Sequence, residues 1–320
     1  KEVKMIAKQK RWGKKVFYVR DWRKLNETYV ERATFYFDFE WVESWNEELV
    51  NMNLGKRGAP YQFPNSLIKF QAAWLNFFSY RGAEGMTRKF VKFGLLPEFN
   101  NYSTIQRRVI GISLEIPKPK NKEISVSTDG SGVKMNMSGE YFEEKYGKGN
   151  RKKFIKVVIT AEPYDKDLLK IEVSVEGEGN SEPTTAEKHM DELSNEGYKI
   201  KEFFGDGSFD KNELFDFCDK HMIDPIIKIR ENADPEAEGS WKRSIEVKKY
   251  KKLGYKKWAK KKRYGRRWTG TEGIFSAVKK IYGERVRARK VENMCLEAKR
   301  KFWTYQCIKT YGEEKVKNYY

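Results

Sequence analysis

The sequence predicts a helical N-terminal region followed by a mixed α/β domain. Three observations lead there. Apolar residues recur at three- and four-residue steps as far as position 113, and a stiff Pro/Lys stretch follows at 117–122. Beyond it, β-branched residues alternate in strands that first run in series and then alternate with helices. The chain has 320 residues, 39% hydrophobic and 15% aromatic, which is ample material for packed cores. Its 35% charged residues are interspersed among apolar positions, which excludes a disordered chain.

The charge balance is one-sided. Lys and Arg number 65 against 46 Asp and Glu, a formal net charge of +19. Such a surplus favours polyanionic partners, because neutralising phosphates releases condensed counterions. No apolar run is long enough to span a bilayer, and the most apolar window, Leu67 to Tyr80, reads as a buried helix. Cys218, Cys295 and Cys307 have no paired spacing, and His189 and His221 complete no zinc pattern with them. Reduced thiols and no visible signal peptide point to a cytoplasmic protein without a membrane partner.

The N-terminal region opens basic and aromatic. At Thr34–Trp41 it turns into an alternation that suggests a strand or extended arm. Pro64-Asn65-Ser66 marks a helix start, with the two polar side chains as acceptors for the first free amides. Leu67, Phe70, Trp74, Phe77 and Phe78 then form one apolar face, and Arg81-Gly82 breaks it. A second helix covers Ala83 to Lys92 and closes at Gly94. A third begins at Tyr102-Ser103-Thr104, with Ile105, Val109 and Ile112 on one side and Gln106, Arg107 and Arg108 elsewhere. Over 66–113 this fits a helix-turn-helix whose last helix offers Gln106, Arg107 and Arg108 to DNA; a plain bundle with solvated arginines fits the same pattern. The expected domains are 1–116, the linker 117–122, and 123–320 with a basic insertion at 232–268.

In the second domain, Ile124, Val126 and Thr128 alternate in a strand ending at Asp129-Gly130. Val133–Tyr141, Phe154–Thr160 and Leu169–Val175 read as three further strands. A helix over Thr185–Asn195 closes at Gly197, and the strand Lys199–Phe204 delivers Asp206. The helix Asn212–His221 and the strand Pro225–Arg230 complete the run. Lys242–Arg267 is the most basic stretch, with Glu246 its single acid and Tyr250, Tyr255, Trp258 and Tyr264 interleaved. Lys256, Lys257, Trp258, Lys261, Arg263, Tyr264, Arg266 and Arg267 are the candidates for tracking phosphates and stacking on bases; a solvated charged loop is the plainer reading.

Phosphodiester chemistry needs hard oxygen ligands for two Mg²⁺ ions about 3.5–4 Å apart. Position selects three acids for that task. Asp129 follows a strand and precedes Gly130-Ser131-Gly132, small residues that admit a phosphate, although Asp-Gly is also a hairpin turn. Asp206 lies between two glycines after another strand, while Asp210 nearby reads as a helix N-cap. Glu272 stands on the first turn of a helix, with Ser276 and Lys279 following on one face and Lys279 placed for a phosphate. Thr269-Gly-Thr-Glu272 equally fits a capping box.

Taken in order, these blocks resemble the DDE-class insertion-sequence transposases of bacteria and archaea, specifically the IS-five-like group, over residues 60–300. Ser79-Tyr-Arg81, Glu84-Gly85, Arg88, Tyr102-Ser-Thr-Ile105 and Arg107-Arg108 are similar to that group's helical DNA-binding region. Val126-Ser-Thr-Asp129-Gly-Ser looks like the first acidic block, and Gly205-Asp206-Gly-Ser-Phe-Asp210 with Ile223–Arg230 like the second. Tyr264, Arg267, Glu272 and Lys279 resemble the third. Its middle gap is one residue longer than the family pattern, which leaves Arg266 and Arg267 as alternatives for the block's arginine.

The resemblance implies an RNase H-like catalytic fold and dependence on Mg²⁺ or Mn²⁺, two ions per site. Asp129 would bridge both ions and Asp206 and Glu272 would each serve mainly one, with Lys279 and Arg267 on phosphates. It also implies terminal inverted repeats and target DNA as partners of a homodimer or higher oligomer. A stand-alone nuclease of the same fold and a catalytically inactive DNA-binding relative are the competing expectations.

Overall fold

The computed structural model describes residues 5–8, 16–19, 21–135, 154–236 and 239–317. The chain divides into two units, Lys1–Ser113 with Thr304–Tyr320, and Leu114–Trp303. The division thus falls just before the expected 117–122 linker, and the last residues, expected in the second domain, group with the first unit.

The first unit starts with an antiparallel pair, β1 (Met5–Lys8) and β2 (Val16–Val19), that the sequence patterns do not signal. Helix α1 (Trp22–Thr34) opens on Asp21, whose carboxylate accepts from the Lys24 amide at 3.0 Å. The expected strand at Thr34–Trp41 is instead two 3-10 turns, Phe35–Phe37 and Glu40–Ser44, leading into α2 (Trp45–Asn53). Its aromatics pack on all sides rather than on two alternating faces. Tyr36 and Phe37 meet Trp74 at ring distances of 5.1 and 5.8 Å, and Phe39 meets Phe70 and Phe90 at 5.6 and 5.1 Å.

Helix α3 (Asn65–Trp74) starts where expected, but neither Asn65 nor Ser66 caps it. The Ser66 amide donates to Glu48 at 3.0 Å, and Asn65 accepts from Arg108. The break falls before Ser79 rather than at Arg81-Gly82: Ser79 caps α4 (Tyr80–Lys92), which includes both residues. Gly94 (φ 73°) follows that helix in the left-handed region. Asn101 caps α5 (Tyr102–Gly111), which buries Ile105 and Val109.

The second unit is built on a five-stranded mixed sheet in the order β5-β4-β3-β6-β7. Its strands are β3 (Glu123–Lys134), β4 (Phe154–Glu162), β5 (Asp167–Val175), β6 (Lys199–Gly205) and β7 (Asp224–Ile227). The first three pair antiparallel in series, and β6 and β7 then add parallel on the other side of β3. That mixed order is RNase H-like, as the resemblance implies. β3 does not end at Asp129-Gly130, as its composition suggests; it continues unbroken through Lys134, with Asp129 opposite Ile159 of β4. The strand expected over Val133–Tyr141 therefore begins inside β3, and its residues from 136 onward lie outside the described residues.

Helix α6 (Glu182–Asn195) and helix α7 (Asn212–Lys220) cover one face. Ile124, Val126, Phe203, Leu169, Met190 and Leu214 form the core there. The first half of helix α8 (Trp241–Lys261) adds Val247 to that core; beyond the kink at Gly254 (φ 68°, ψ 156°), its second half and helix α9 (Arg266–Tyr282) serve the other face. On that side Phe204 and Ile226 pack with Trp258 and Tyr264. Helix α10 (Val291–Lys317) ends the described chain.

Asp210 is not a helix cap. Its fully buried carboxylate accepts from Arg243 at 2.6 and 3.1 Å and from the Arg230 amide at 2.9 Å, tying α8 to the end of the sheet. No helix among the described residues is long and apolar enough to cross a membrane.

Candidate active site

Alternation along β3 decides what faces what. Ile124 and Val126 join the core beneath α6, so Thr128 points the same way and Asp129 the opposite way. Below the site, Thr128 Oγ1, Thr160 Oγ1 and His189 Nδ1 form a buried chain at 2.8 and 2.9 Å. Burial pushes the imidazole down to about 4, so it is neutral and acts as a hydrogen-bonding strut.

Parallel pairing of β3 with β6 places Ser127 beside Phe204, and two residues further on each strand come Asp129 and Asp206. The adjacency is thus a property of the register. Asp206 leaves β6 as the cap of a 3-10 turn, accepting from the Ser208 amide at 2.8 Å and the Ser208 hydroxyl at 2.5 Å.

The third acid comes from α9. That helix starts at Arg266, four residues earlier than the capping-box reading requires, so Glu272 lies in its second turn. Thr269 Oγ1 donates to the carbonyls of Arg266 and Pro163 rather than capping. Glu272 is 42% exposed, with one carboxylate oxygen 3.6 Å from Arg267 Nη2. Nη1 of the same guanidinium donates to Asp129 Oδ2 at 3.4 Å, and Thr271 Oγ1 reaches that oxygen at 3.4 Å. Asp129 and Glu272 therefore meet on one arginine, whose side chain is only 8% exposed. Lys279, two turns beyond Glu272, donates to Ser131 Oγ at 2.9 Å.

The electrostatics follow from this crowding. Asp129 is pushed up to about 6, first by burial and further by the charges of Asp206 and Glu182, against the pull of Arg267 and the Gly130 amide. Tyr264, buried behind the arginine, is pushed up to about 12. Glu182 and Thr271 are the participants the sequence reading missed. Glu182 sits in the first turn of α6, where a Cβ on Gly130 would collide with its carboxylate, and it pairs with Lys156 at 3.3 Å. Its only sequence signal is a place in a helix start. Thr271 lay inside the block that flagged Glu272.

Among the described residues, no three acidic, imidazole or thiol groups are gathered tightly enough to cage a cation. The donor set is of the kind a hard divalent ion takes: carboxylate oxygens from three elements, two of them meeting on one guanidinium.

The DNA-contact candidates separate by burial. Gln106 and Arg107 are exposed on α5, whereas Arg108 is half-buried and committed. It donates to the Phe63 carbonyl at 3.1 Å and Asn65 at 2.8 Å, and lies 4.5 Å over the Tyr61 ring. Lys256, Lys257 and Lys261 are exposed on α8, and Arg266 is exposed at the start of α9. Arg263 is exposed but pairs with Glu202 at 2.9 Å.

Trp258 and Tyr264, expected as stacking residues, are instead 2% and 3% exposed. They are core: Trp258 lies on the inward face of α8, and Tyr264, in the turn between α8 and α9, packs against it with ring centroids 5.1 Å apart.

No curated protein matches the sequence. The Mos1 strand transfer complex, a solved structure, is 9% identical over 80% of this chain and 81% of its own, with a TM-score of 0.23. The pre-cleavage Mos1 transpososome is 9% identical over 92% and 99%, with a TM-score of 0.22. A family model described as a transposase DDE domain matches residues 121–307, and a second of the same description matches residues 30–138. The first match spans the whole sheet, both aspartates, Glu272 and Lys279, more than half of the sequence: the chain belongs to the transposase DDE domain family.

Proposed function

We propose that this transposase nicks transposon ends and joins the freed 3′-hydroxyl to target DNA, with Asp129, Asp206 and Glu272 as its acidic residues. The observation that carries the reading is the meeting of Asp129 and Glu272 on one guanidinium beside the register neighbour Asp206. Residues so distant in the chain have no local reason to share a counterion.

These three carboxylates would hold Mg²⁺ or Mn²⁺, two ions whose chemistry is activation of the attacking oxygen and stabilisation of the leaving one. Lys279 would place a phosphate, held one helix face along from Glu272. Lys256, Lys257 and Lys261 would grip the flanking duplex, and Gln106 and Arg107 offer polar side chains on α5 for a groove. Terminal repeats and target DNA are the proposed partners of a homodimer or larger assembly, since two ends are processed, in a cytoplasmic, nucleoid-associated protein.

Incubating pre-cleaved ends with target plasmid and Mg²⁺ is the direct test. Joined product is expected, hydrolysis alone would mark a stand-alone nuclease, and neither activity a DNA-binding relative. Asp129→Asn should abolish nicking and joining while gel-shift affinity stays within a few-fold.

A further inference from the structure

Arg267 is held in an unusual position for a phosphate-binding arginine. Its terminal nitrogens are turned to Asp129 and Glu272 at 3.4 and 3.6 Å, and its side chain is almost wholly buried. The Trp268 and Tyr264 rings lie 5.1 and 5.8 Å from its guanidinium carbon, and its Nε is buried without a hydrogen-bond partner. A buried guanidinium needs an anion, and breaking such a pair from one side is strongly unfavourable. So the two acids that a divalent ion would use are the acids on which this arginine depends.

Charge counting turns this into a linkage. Three carboxylates less one guanidinium leave the charge that a single divalent cation balances. A second cation, or full release of Asp129 and Glu272 to the first, needs an anion from outside the chain to receive Arg267. A DNA phosphate is such an anion, and its oxygens suit the fork of a guanidinium. Resting on the proposed function, we propose that Arg267 is a resident counter-cation displaced by DNA, so that divalent cations load fully onto Asp129, Asp206 and Glu272 only when a phosphate has taken up its guanidinium. By reciprocity, cations then tighten DNA binding by the same factor that DNA tightens theirs. The device keeps the free protein from holding a loaded site away from its substrate.

The experiment is Mn²⁺ binding to the full chain, read from the free-ion electron paramagnetic resonance signal, with and without duplex DNA. Wild-type affinity should rise about tenfold with duplex, inside the usual range for coupled sites. Arg267→Gln should bind Mn²⁺ about tenfold more tightly without DNA and gain little more from it. Arg267→Lys, whose single ammonium reaches one acid rather than both, should fall between; circular dichroism identifies any variant that has not folded. Arg267→Gln and Arg267→Lys binding no tighter than wild type without DNA, or a wild-type affinity indifferent to DNA, would overturn the inference. Asp129→Asn separates this from failure of the functional reading: if it binds Mn²⁺ as well as wild type with DNA present, these acids are not the metal site, and both proposals fall.

Discussion

Asp129 holds its proton more tightly than a solvated aspartate because burial and two neighbouring carboxylates outweigh one guanidinium. Its folded value, about 6, stands above the ordinary 3.8, so folding favours the protonated form. The group's contribution to stability is therefore fully present below about 3.8 and lost as pH rises through about 6. In metal-free urea melts, Asp129→Asn should be more stable than wild type above pH 6, by about 3 kcal/mol at the 1.36 kcal/mol that one pKa unit represents. The gap should close as the medium is acidified. Mn²⁺ affinity should fall through the same interval, because the proton and the cation compete for one carboxylate. A variant melting curve parallel to wild type at every pH would show that Asp129 is not so perturbed.

At the scale of elements, two contacts hold the site's scaffolding. Asp210 is completely buried against Arg243 of α8, and removing one partner of such a pair strands the other. Asp210→Ala should cost about 3–5 kcal/mol in denaturant unfolding. Helix α9 approaches the turn after β4 so closely that a Cβ on Gly270 would lie 3.0 Å from Pro163 Cα. Backbone cannot swing aside as a side-chain tip can. Gly270→Ala should lower stability by about 1–3 kcal/mol, the cost of overpacking, and slow nicking through displacement of Glu272. A normal melting temperature and normal nicking rate would show that the helix has room.

Legibility also varied by element. β-branched alternation located β4, β5 and β6 closely, because each sends apolar side chains into the core. It cut β3 short, because Asp129-Gly130-Ser131-Gly132 has turn composition while its backbone remains paired to β4. Glycine there serves the approach of Glu182, a tertiary cause that no local window contains. Likewise, the aromatics of Thr34–Trp41 alternate as a strand would, yet the rings of α3 and α4 draw them into turns. Asp206 was readable as an acid past an apolar strand, and Asp129 as an acid on one, although its strand runs on through Lys134. That Glu272 would join them through Arg267 was not, since the middle spacing of its block departs from the family pattern, and only the fold of α9 over the sheet resolves which arginine faces inward.

For the whole molecule, a net charge of +19 makes DNA affinity a function of salt before it is a function of sequence. Reversing Lys256, Lys257 and Lys261 together to Glu should weaken binding to all duplexes alike. It should also lower the slope of log affinity against log salt by about 3, roughly one unit per lost phosphate contact. Loss confined to one sequence would instead mean that α8 reads bases. The basic strip illustrates what composition conveys and what it omits: its charge was plain, but the inward turn of Trp258 depended on a helical period that the lysines obscure, and that of Tyr264 on the turn joining α8 to α9.

The return of residues 304–320 to the first unit has a consequence for how the protein comes into being. Nascent chains ordinarily fold in the order in which they leave the ribosome, first domain first. Here the leading unit lacks its last stretch, including Thr304, which accepts from Asn76 at 2.8 Å, and Glu313, 3.7 Å from Arg32, until translation is almost over. The interior unit, which contains every acid of the candidate site, has all its residues earlier. The first unit therefore cannot complete its packing until the last residues of the chain have been made, after every residue of the interior unit.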